Sequence, residues 1–470
     1  MRRRALIVLV LLAAGAYLLC PKAPKEPTAH AAERNSPAPE HIAVADWREA
    51  ERGILENHVQ LTFPDRFIKA GESYFSPDDR QIIFQAVEVP AEGQKPEAFY
   101  QMYVADVVYD ASGRIAGLTN YKRLSPPGSS NTCGWFHPTR PGVVIFGSTL
   151  GVPADAGASG YQRGTSRYVW EFPREMTIVE CEVASADGTA ATLKPLLENR
   201  EAYLAECVIS PNGRYLVYCR RVESEGQRGG DLLIRDLTTG RDVVIAGHAG
   251  YDGGPFFSPD GTRLCYRSDR RGDNLLQIFV AELAFNASGE ITGLAREFQL
   301  TDNPYVNWAP FWTPDGRFLV YAGSEMGHRN YEVFIIDADA GDPGTNGRPA
   351  KYGTRNRRIT HAEGFDGLPA FNRDGSVMIW TSQRDESKSS QLWAASFVFD
   401  THAAPLTEPE PAQARPAPMP YVADPETGLM YVYDPATHAI IAYDPRTHAK
   451  REVTDEAEKK RATELIRGKN

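Results

Sequence analysis

Six stretches of this chain share one pattern: an apolar strand end, a tight polar turn, and an apolar run coming back. They read "YFSPDDRQIIFQA" from Tyr74, "WFHPTRPGVVIFGS" from Trp135, "VISPNGRYLVYCR" from Val208, "FFSPDGTRLCYRS" from Phe256, "FWTPDGRFLVYAGS" from Phe311 and "AFNRDGSVMIWTSQR" from Ala370. Pro presets φ for the turn, Asp supplies a local side-chain hydrogen bond, and Gly tolerates the left-handed position. The spacing of about 50 to 70 residues is that of a four-stranded propeller blade stretched by loop insertions. Within one unit, Leu264 to Arg267 returns from the turn, "RSDRRGDN" turns again, and "LLQIFVAEL" forms a third, almost wholly apolar strand.

A fourth strand follows in several units: "NYKRLS" at 120–125, "REFQLT" at 296–301 and "NRRIT" at 356–360. Strands apolar on both faces belong between stacked sheets, and no unit buries those faces alone. A closed ring satisfies every unit and leaves only short edges. The sixth unit lacks its fourth strand, because the chain runs on into "THAAPLTEPEPAQARPAPMP". The missing strand is found ahead of the first unit: "HVQLTF", His58 to Phe63, has the form of the other fourth strands. The expected fold is therefore all-β, a six-bladed β-propeller of four-stranded blades closed by residues 58–63 in the last blade.

Residues 57 to 400 resemble the six-bladed TolB-like propellers, whose repeat carries the Ser-Pro-Asp-Gly turn. "AGESYFSPDDRQIIFQA", "NTCGWFHP", "FGSTLG", "YVWEF" and "YDGGPFFSPDG" are similar to propellers that accompany secreted peptidase domains. The resemblance implies protein recognition in the cell envelope, although propellers host many unrelated functions. Three units depart from the pattern: Asp79 stands for Gly, "HPTRPG" for "SPDG", and Arg373 for Pro.

The termini set the context. "MRRRALIVLVLLAAGAYLLC" has a basic start and an apolar run over residues 5–20, short for a membrane span and suited to export. Residues 1–31 read as a signal peptide cleaved after "AHA" or as a retained inner-membrane anchor; Cys20 as a lipidated N-terminus is a third ending. Each puts the propeller in the periplasm or otherwise outside the cytoplasm. Residues 32–56 read as a Pro-rich tether, 57–402 as the propeller, 403–419 as a Pro-rich linker, and 420–470 as a small β-meander with a charged helical tail. The meander rests on a ten-residue repeat, "YVADPETGLM", "YVYDPATHAI", "IAYDPRTHAK", which gives about three strands. Net charge is −10, and −14 without residues 1–31, which carry five basic side chains against one acidic. Such a surface argues against nucleic acid and anionic lipid and admits a basic partner.

The chain contains no Gly-x-Ser-x-Gly, His-Glu-x-x-His or phosphate-loop motif. "GDPGTNGRP" at 341–349 reads as a loop insertion, and His137, which replaces the turn Ser, as structural. Among six cysteines no Cys-x-x-Cys spacing occurs, and Cys133, Cys181 and Cys265 read as buried thiols. Cys207 and Cys219 are symmetric about Gly213, so an oxidising compartment could bridge them.

The remaining candidate is geometric. Aligning the six turns puts Glu72, Cys133, Glu206, Gly254, Ala309 and Leu368 at one level of the channel-lining strands. Two positions earlier come Ala70, Asn131, Leu204, Asp252, Asn307 and Asp366. Glu72, Glu206, Asp252 and Asp366, with Asn131 and Asn307, are therefore expected to crowd one mouth. Converging carboxylates repel unless a cation, an arginine or a proton intervenes, which makes Ca2+ or a basic peptide group the expected guest. The other reading is that each carboxylate caps backbone or pairs locally. The functional expectation is an exported, non-catalytic, monomeric propeller that binds an envelope protein or peptide. The alternatives are a polysaccharide lyase with a channel metal and the regulatory half of a peptidase.

Overall fold

The computed structural model describes residues 46–467, apart from 155–172, 187–189, 199–201, 222–228, 249, 273–274, 339–355, 401–421 and the turns 425–426, 428, 435–438 and 444–449. The segment read as a signal peptide or anchor, most of the tether, the Pro-rich linker and the 341–349 loop lie outside those residues. No helix among the described residues is long and apolar enough to cross a membrane.

Six four-stranded antiparallel sheets form the ring. Their innermost strands are Phe67–Phe75, Asn131–Phe136, Tyr203–Ile209, Asp252–Phe257, Asn307–Trp312 and Asp366–Phe371, taken here as blades 1 to 6. The outermost strand of blade 6 is Leu55–Gln60, paired antiparallel with Gln391–Phe397. The N-terminal closure is thus present and begins three residues earlier than the pattern suggested. Residues 47–56, assigned from sequence to the tether, instead supply the helix Trp47–Glu51 and the start of this strand.

Why the fourth strands resemble one another is now clear. In four of the six blades a Ser or Thr two residues past the strand accepts, through its Oγ, a backbone N–H from the third strand: Met102 to Ser125 at 3.0 Å, Ile278 to Thr301 at 2.9 Å, Val333 to Thr360 at 2.8 Å and Leu392 to Thr62 at 2.8 Å. "VQLT" has the form of those segments because the closing strand makes the bond that the outer strands of blades 1, 4 and 5 make.

The turns form a second ring at the far end of the channel. In blades 1, 3, 4 and 5 the first hydroxyl donates to the Asp or Asn two residues on (Ser76, Ser210, Ser258, Thr313; 2.5–2.7 Å). The same hydroxyls accept the N–H five residues on. In blade 2 the His137 ring nitrogen takes over, accepting from Thr139 and Arg140 N–H at 3.3 and 3.2 Å. Turn glycines face the preceding blade: a Cβ on Gly375 would lie 3.2 Å from Pro314, and one on Gly316 3.7 Å from Pro259. At the seam between blades 6 and 1 two of the three departures from the repeat meet. Arg373, where other blades have Pro, donates its N–H to the Asp79 carboxylate at 3.0 Å. Proline has no N–H to give.

A β-bulge breaks the register of every innermost strand at the same level. The residues there all adopt left-handed φ: Glu72 (48°), Cys133 (55°), Glu206 (55°), Gly254 (58°), Ala309 (52°) and Leu368 (56°). For a non-glycine residue this costs about 1–2 kcal/mol. Its recurrence in six blades makes it a property of the repeat, and bulges re-aim side chains.

The hairpin register overturns the disulfide. Ile209 opposes Leu216 and Val208 opposes Val217, so Cys219 lies one residue past the position that faces Cys207, and beyond the bulge it is Ala205 that opposes Cys219. Cys207 packs in the cluster with Leu204 and Tyr218, whereas Cys219 packs with Val217 and Leu232 on the other face. Both thiols are free and buried.

The C-terminal segment is a four-stranded antiparallel sheet, one strand more than the repeat suggested, with the helix Glu456–Arg467. Tyr431, Ile440, Ala442 and Val453 bury their side chains with Ala462 of that helix. The buried Asp424 carboxylate is gripped by Arg461 through two 2.8 Å bonds. A small sheet needs its apolar face covered, and here its own helix does it.

Candidate functional site

The channel is a blind cup. Its floor is made by the aromatic residues of the turn motif, Tyr74, Trp135, Phe256 and Phe311, from blades 1, 2, 4 and 5. Ring centroids of Tyr74 and Phe256, on opposite blades, are 5.4 Å apart; those of Trp135 and Phe311, also opposite, are 6.4 Å apart. Tyr74 with Trp135 and Phe256 with Phe311 close at 5.3 and 5.0 Å. Rings from facing blades in mutual contact leave no passage. Offset and edge-to-face pairs of this kind contribute about 0.5–1.5 kcal/mol each beyond area burial. Above the floor lies a cavity of about 1000 Å³, open at the end where the innermost strands begin.

The bulge ring forms its wall, and that ring has two unlike halves. Blades 1 to 3 contribute Glu72, Cys133 and Glu206; blades 4 to 6 contribute Gly254, Ala309 and Leu368. At Gly254 the missing side chain makes room for Arg267: a Cβ there would lie 2.3 Å from Arg267 Nη1. Arg267 Nη2 donates to Glu206 Oε2 at 3.2 Å and to Tyr251 Oη at 2.9 Å. Tyr251 Oη donates to the Glu206 carboxylate at 2.6–2.7 Å, and Gly254 N–H donates to it at 2.6 Å. A Cβ on Gly253 would strike Tyr251 Oη at 2.0 Å. The "YDGG" string therefore exists to seat Tyr251 and Arg267 on Glu206, which is 2% exposed. This carboxylate is consumed by the structure.

Glu72 occupies the same level with the same backbone and has no such clamp. Its N–H donates to Thr381 Oγ1 at 3.0 Å, and Tyr74 Oη reaches its carboxylate at 3.4 Å. Burial lifts the Glu72 carboxyl above the ordinary range and the Glu206 charge adds to this; the Cys133 thiol and the Arg267 charge pull back only part of the way. Burial and these same carboxylates push the Cys133 thiol well up, so it stays protonated. The rim opposite carries an aromatic wall, with Trp308, Tyr331 and Phe365 centroids 5.9–6.4 Å apart. Lys69 caps Tyr100 at 4.1 Å on the blade 1 side.

Of the six residues expected at the mouth, Glu72, Glu206 and Asn131 line the cavity, and Asp252, Asn307 and Asp366 do not. The last three are buried at blade junctions. Asp252 accepts from His248 N–H at 3.0 Å and from Arg270 at 3.4 Å. Asn307 donates to Gln277 Oε1 at 3.1 Å and Asn303 Oδ1 at 2.8 Å. Asp366 accepts from Trp380 Nε1 at 2.9 Å and Arg384 at 3.1 Å. Asn131 is also spent, donating to Tyr100 O at 3.0 Å and Ser129 Oγ at 2.9 Å. The local-pairing reading therefore describes most of the set. Among the described residues no three His, Cys, Asp or Glu converge to hold a metal. Arg267, Tyr251 and the aromatic floor were not singled out from sequence; the double glycine and the aromatic that opens each turn motif were their visible traces.

The six-bladed propeller expected from the Ser-Pro-Asp-Gly turns is the fold observed. No known family profile matches the chain. A stretch of 152 residues, 28% of this chain, is 32% identical to dipeptidyl-peptidase 5 of Porphyromonas gingivalis and spans 22% of that protein's length. Among solved structures, a chain assigned as TolB from Agrobacterium tumefaciens matches with a TM-score of 0.41 and 16% identity, covering 70% of this chain and 90% of that one. Oligogalacturonate lyase from Vibrio parahaemolyticus matches with a TM-score of 0.40 and 11% identity, covering 72% and 93%. At these identities and scores the structural likenesses carry no functional argument.

Proposed function

We propose that this chain is an exported binding module whose central cup receives a segment of a partner polypeptide in the cell envelope. The observation that carries the reading is the blind, aromatic-floored cup in which Glu206 is neutralised by Arg267 while Glu72 is left facing the cavity. An apolar or aromatic side chain fits the floor, and a Lys, Arg or amine group satisfies Glu72. Pockets of this size with few placed polar groups are the usual seats of ligands. The basic, apolar start of the chain supports export, and the acidic surface supports a basic partner.

Panning a random heptapeptide library against residues 46–470 tests this. Enriched peptides should pair a basic residue with an aromatic one, and should lose binding to Leu368→Trp, which fills the cup. Peptides that bind Leu368→Trp as well as the parent would overturn the cup as the site. A second reading, a propeller serving a separately encoded peptidase domain, draws on the partial match to dipeptidyl-peptidase 5. Co-elution of peptidase activity with the native protein from envelope extracts would favour it.

A further inference from the structure

Two of the blade junctions carry matched amide clasps, and a third buries two acids in the same positions. Between blades 1 and 2, Gln101 Oε1 accepts from Ser125 Oγ at 2.7 Å and Asn131 Nδ2 at 3.4 Å. Between blades 4 and 5, Gln277 Oε1 accepts from Asn307 Nδ2 at 3.1 Å. Each clasp joins the first residue of a third strand to the first residue of the next blade's innermost strand, and each is an amide facing an amide. Between blades 5 and 6 the corresponding residues are Glu332 and Asp366, both essentially buried. Two carboxylates have no N–H with which to make the bond that the amides make.

The surroundings do not make up the difference. Glu332 Oε2 accepts from Thr360 Oγ1 at 2.6 Å, and Oε1 takes Arg358 and, at 3.3 Å, Asn330. Asp366 Oδ1 takes Trp380 and Arg384, whereas Asp366 Oδ2 is buried with no hydrogen-bond partner among the described residues. Arg384 is itself divided, since Glu51 of the N-terminal helix accepts from it at 3.1 and 3.3 Å. His58 of the closing strand holds Glu51 at 2.7 Å, and His361 offers Glu51 its backbone N–H. Three buried acids, Glu51, Glu332 and Asp366, thus face two arginines, Arg358 and Arg384. The imidazole of His361 is kept neutral by burial, its pKa lowered to about 4.

We propose that Glu332 and Asp366 share one proton, which replaces the missing amide hydrogen, and that its release loosens the junction between blades 5 and 6. Burial raises both carboxyls, the Asp366 charge adding to this at Glu332 and the Glu51 charge at Asp366, which agrees with a retained proton. The location links it to the cup. Tyr331 immediately precedes Glu332 and Phe365 immediately precedes Asp366, and these two rings form the aromatic wall. The proton therefore bears on the shape of the proposed binding site; only this consequence rests on the cup reading.

The test needs no ligand. A carboxyl whose titration lies higher in the folded state adds stability at low pH that is lost as pH rises through that titration. Glu332→Gln rebuilds the amide form of the clasp. Its melting temperature relative to the parent should rise steadily from pH 5 to pH 9, by several degrees across the range. Hydrogen exchange should show strands 332–337 and 366–371 of the parent losing protection with pH beyond the intrinsic rate. The same strands of the variant, and strands 277–285 and 307–312 in both proteins, should not. Asp366→Asn serves as the second variant should the first fold poorly. A melting difference that stays flat from pH 5 to pH 9 in both variants overturns the shared proton and leaves the cup reading untouched. Peptides that bind Leu368→Trp overturn the cup and leave the proton untouched.

Discussion

Blades 1 and 3 place a glutamate at the same level of the same strand with the same left-handed backbone, and use it in opposite ways. Glu206 meets Gly254, Tyr251 and Arg267 of the next blade and becomes a buried brace. Glu72 meets Cys133 of its next blade, a weak donor with no charge, and remains a wall of the cavity. Position in a repeat sets where a side chain points. The neighbouring blade decides whether it is structural or available.

The sharpest test is Glu206→Ala. It leaves Arg267 and the Gly254 N–H buried without their acceptor, and removing one partner of a buried pair costs about 3–5 kcal/mol. Glu72→Ala should cost less than about 1 kcal/mol, since no buried ion pair is broken. Urea unfolding of the two variants checks this, and equal losses would break the comparison.

Next comes Gly254→Ala. Ala309 shows that the repeat tolerates a Cβ at this backbone angle, so the penalty should come from Arg267 and reach about 1–3 kcal/mol, as overpacking does. In an Arg267→Ala background the same change should cost much less; a double-mutant cycle with no coupling would show that Arg267 is not the cause.

A smaller effect is expected at Glu72. Its folded-state titration is raised by burial, so it adds stability below the unfolded range that is lost as pH rises. Glu72→Gln should therefore gain on the parent as pH rises from about 5, seen as a widening melting difference. A constant difference would mean that the neighbours of Glu72 offset its burial.

Smallest of all, calcium and reductant should leave the melting temperature of the parent unchanged. Three of the four carboxylates expected to share a cation are engaged at separate places, and Cys207 and Cys219 pack on opposite faces of their sheet. A calcium-induced rise would revive a cation at the mouth.

Much of the architecture was legible because each blade states it again. The Pro-Asp-Gly turns mark every first hairpin, and "VQLT" identifies the closing strand because its Thr must cap a third-strand N–H. Even the departures were informative as a pair: Asp79 and Arg373 are odd singly and complementary across the seam. The channel level holding Glu72 and Glu206 was also correct. The grouping of Asp252, Asn307 and Asp366 with them was not, and neither was the Cys207–Cys219 bridge. The two errors have different sources. In an unbroken strand residues two apart share a face, so positions 252 and 254, or 366 and 368, were placed together; the bulge inserts a residue into each innermost strand and ends that period where the site begins. Cys207 was set opposite Cys219 by centring the hairpin on Gly213, whereas the turn pairs Ile209 with Leu216 and is centred between Asn212 and Gly213.

By itself, then, the sequence determined the number of blades, their order and the strand that closes them. Those follow from local turn chemistry and from apolar faces that must stack. The tertiary structure decided which carboxylate is spent, that facing aromatic rings seal the channel into a cup, and that one junction buries two acids where two others carry two amides. Each of these depends on what the adjacent or opposite blade presents within a few ångströms, and residues brought together by ring closure lie tens to hundreds of positions apart in the chain.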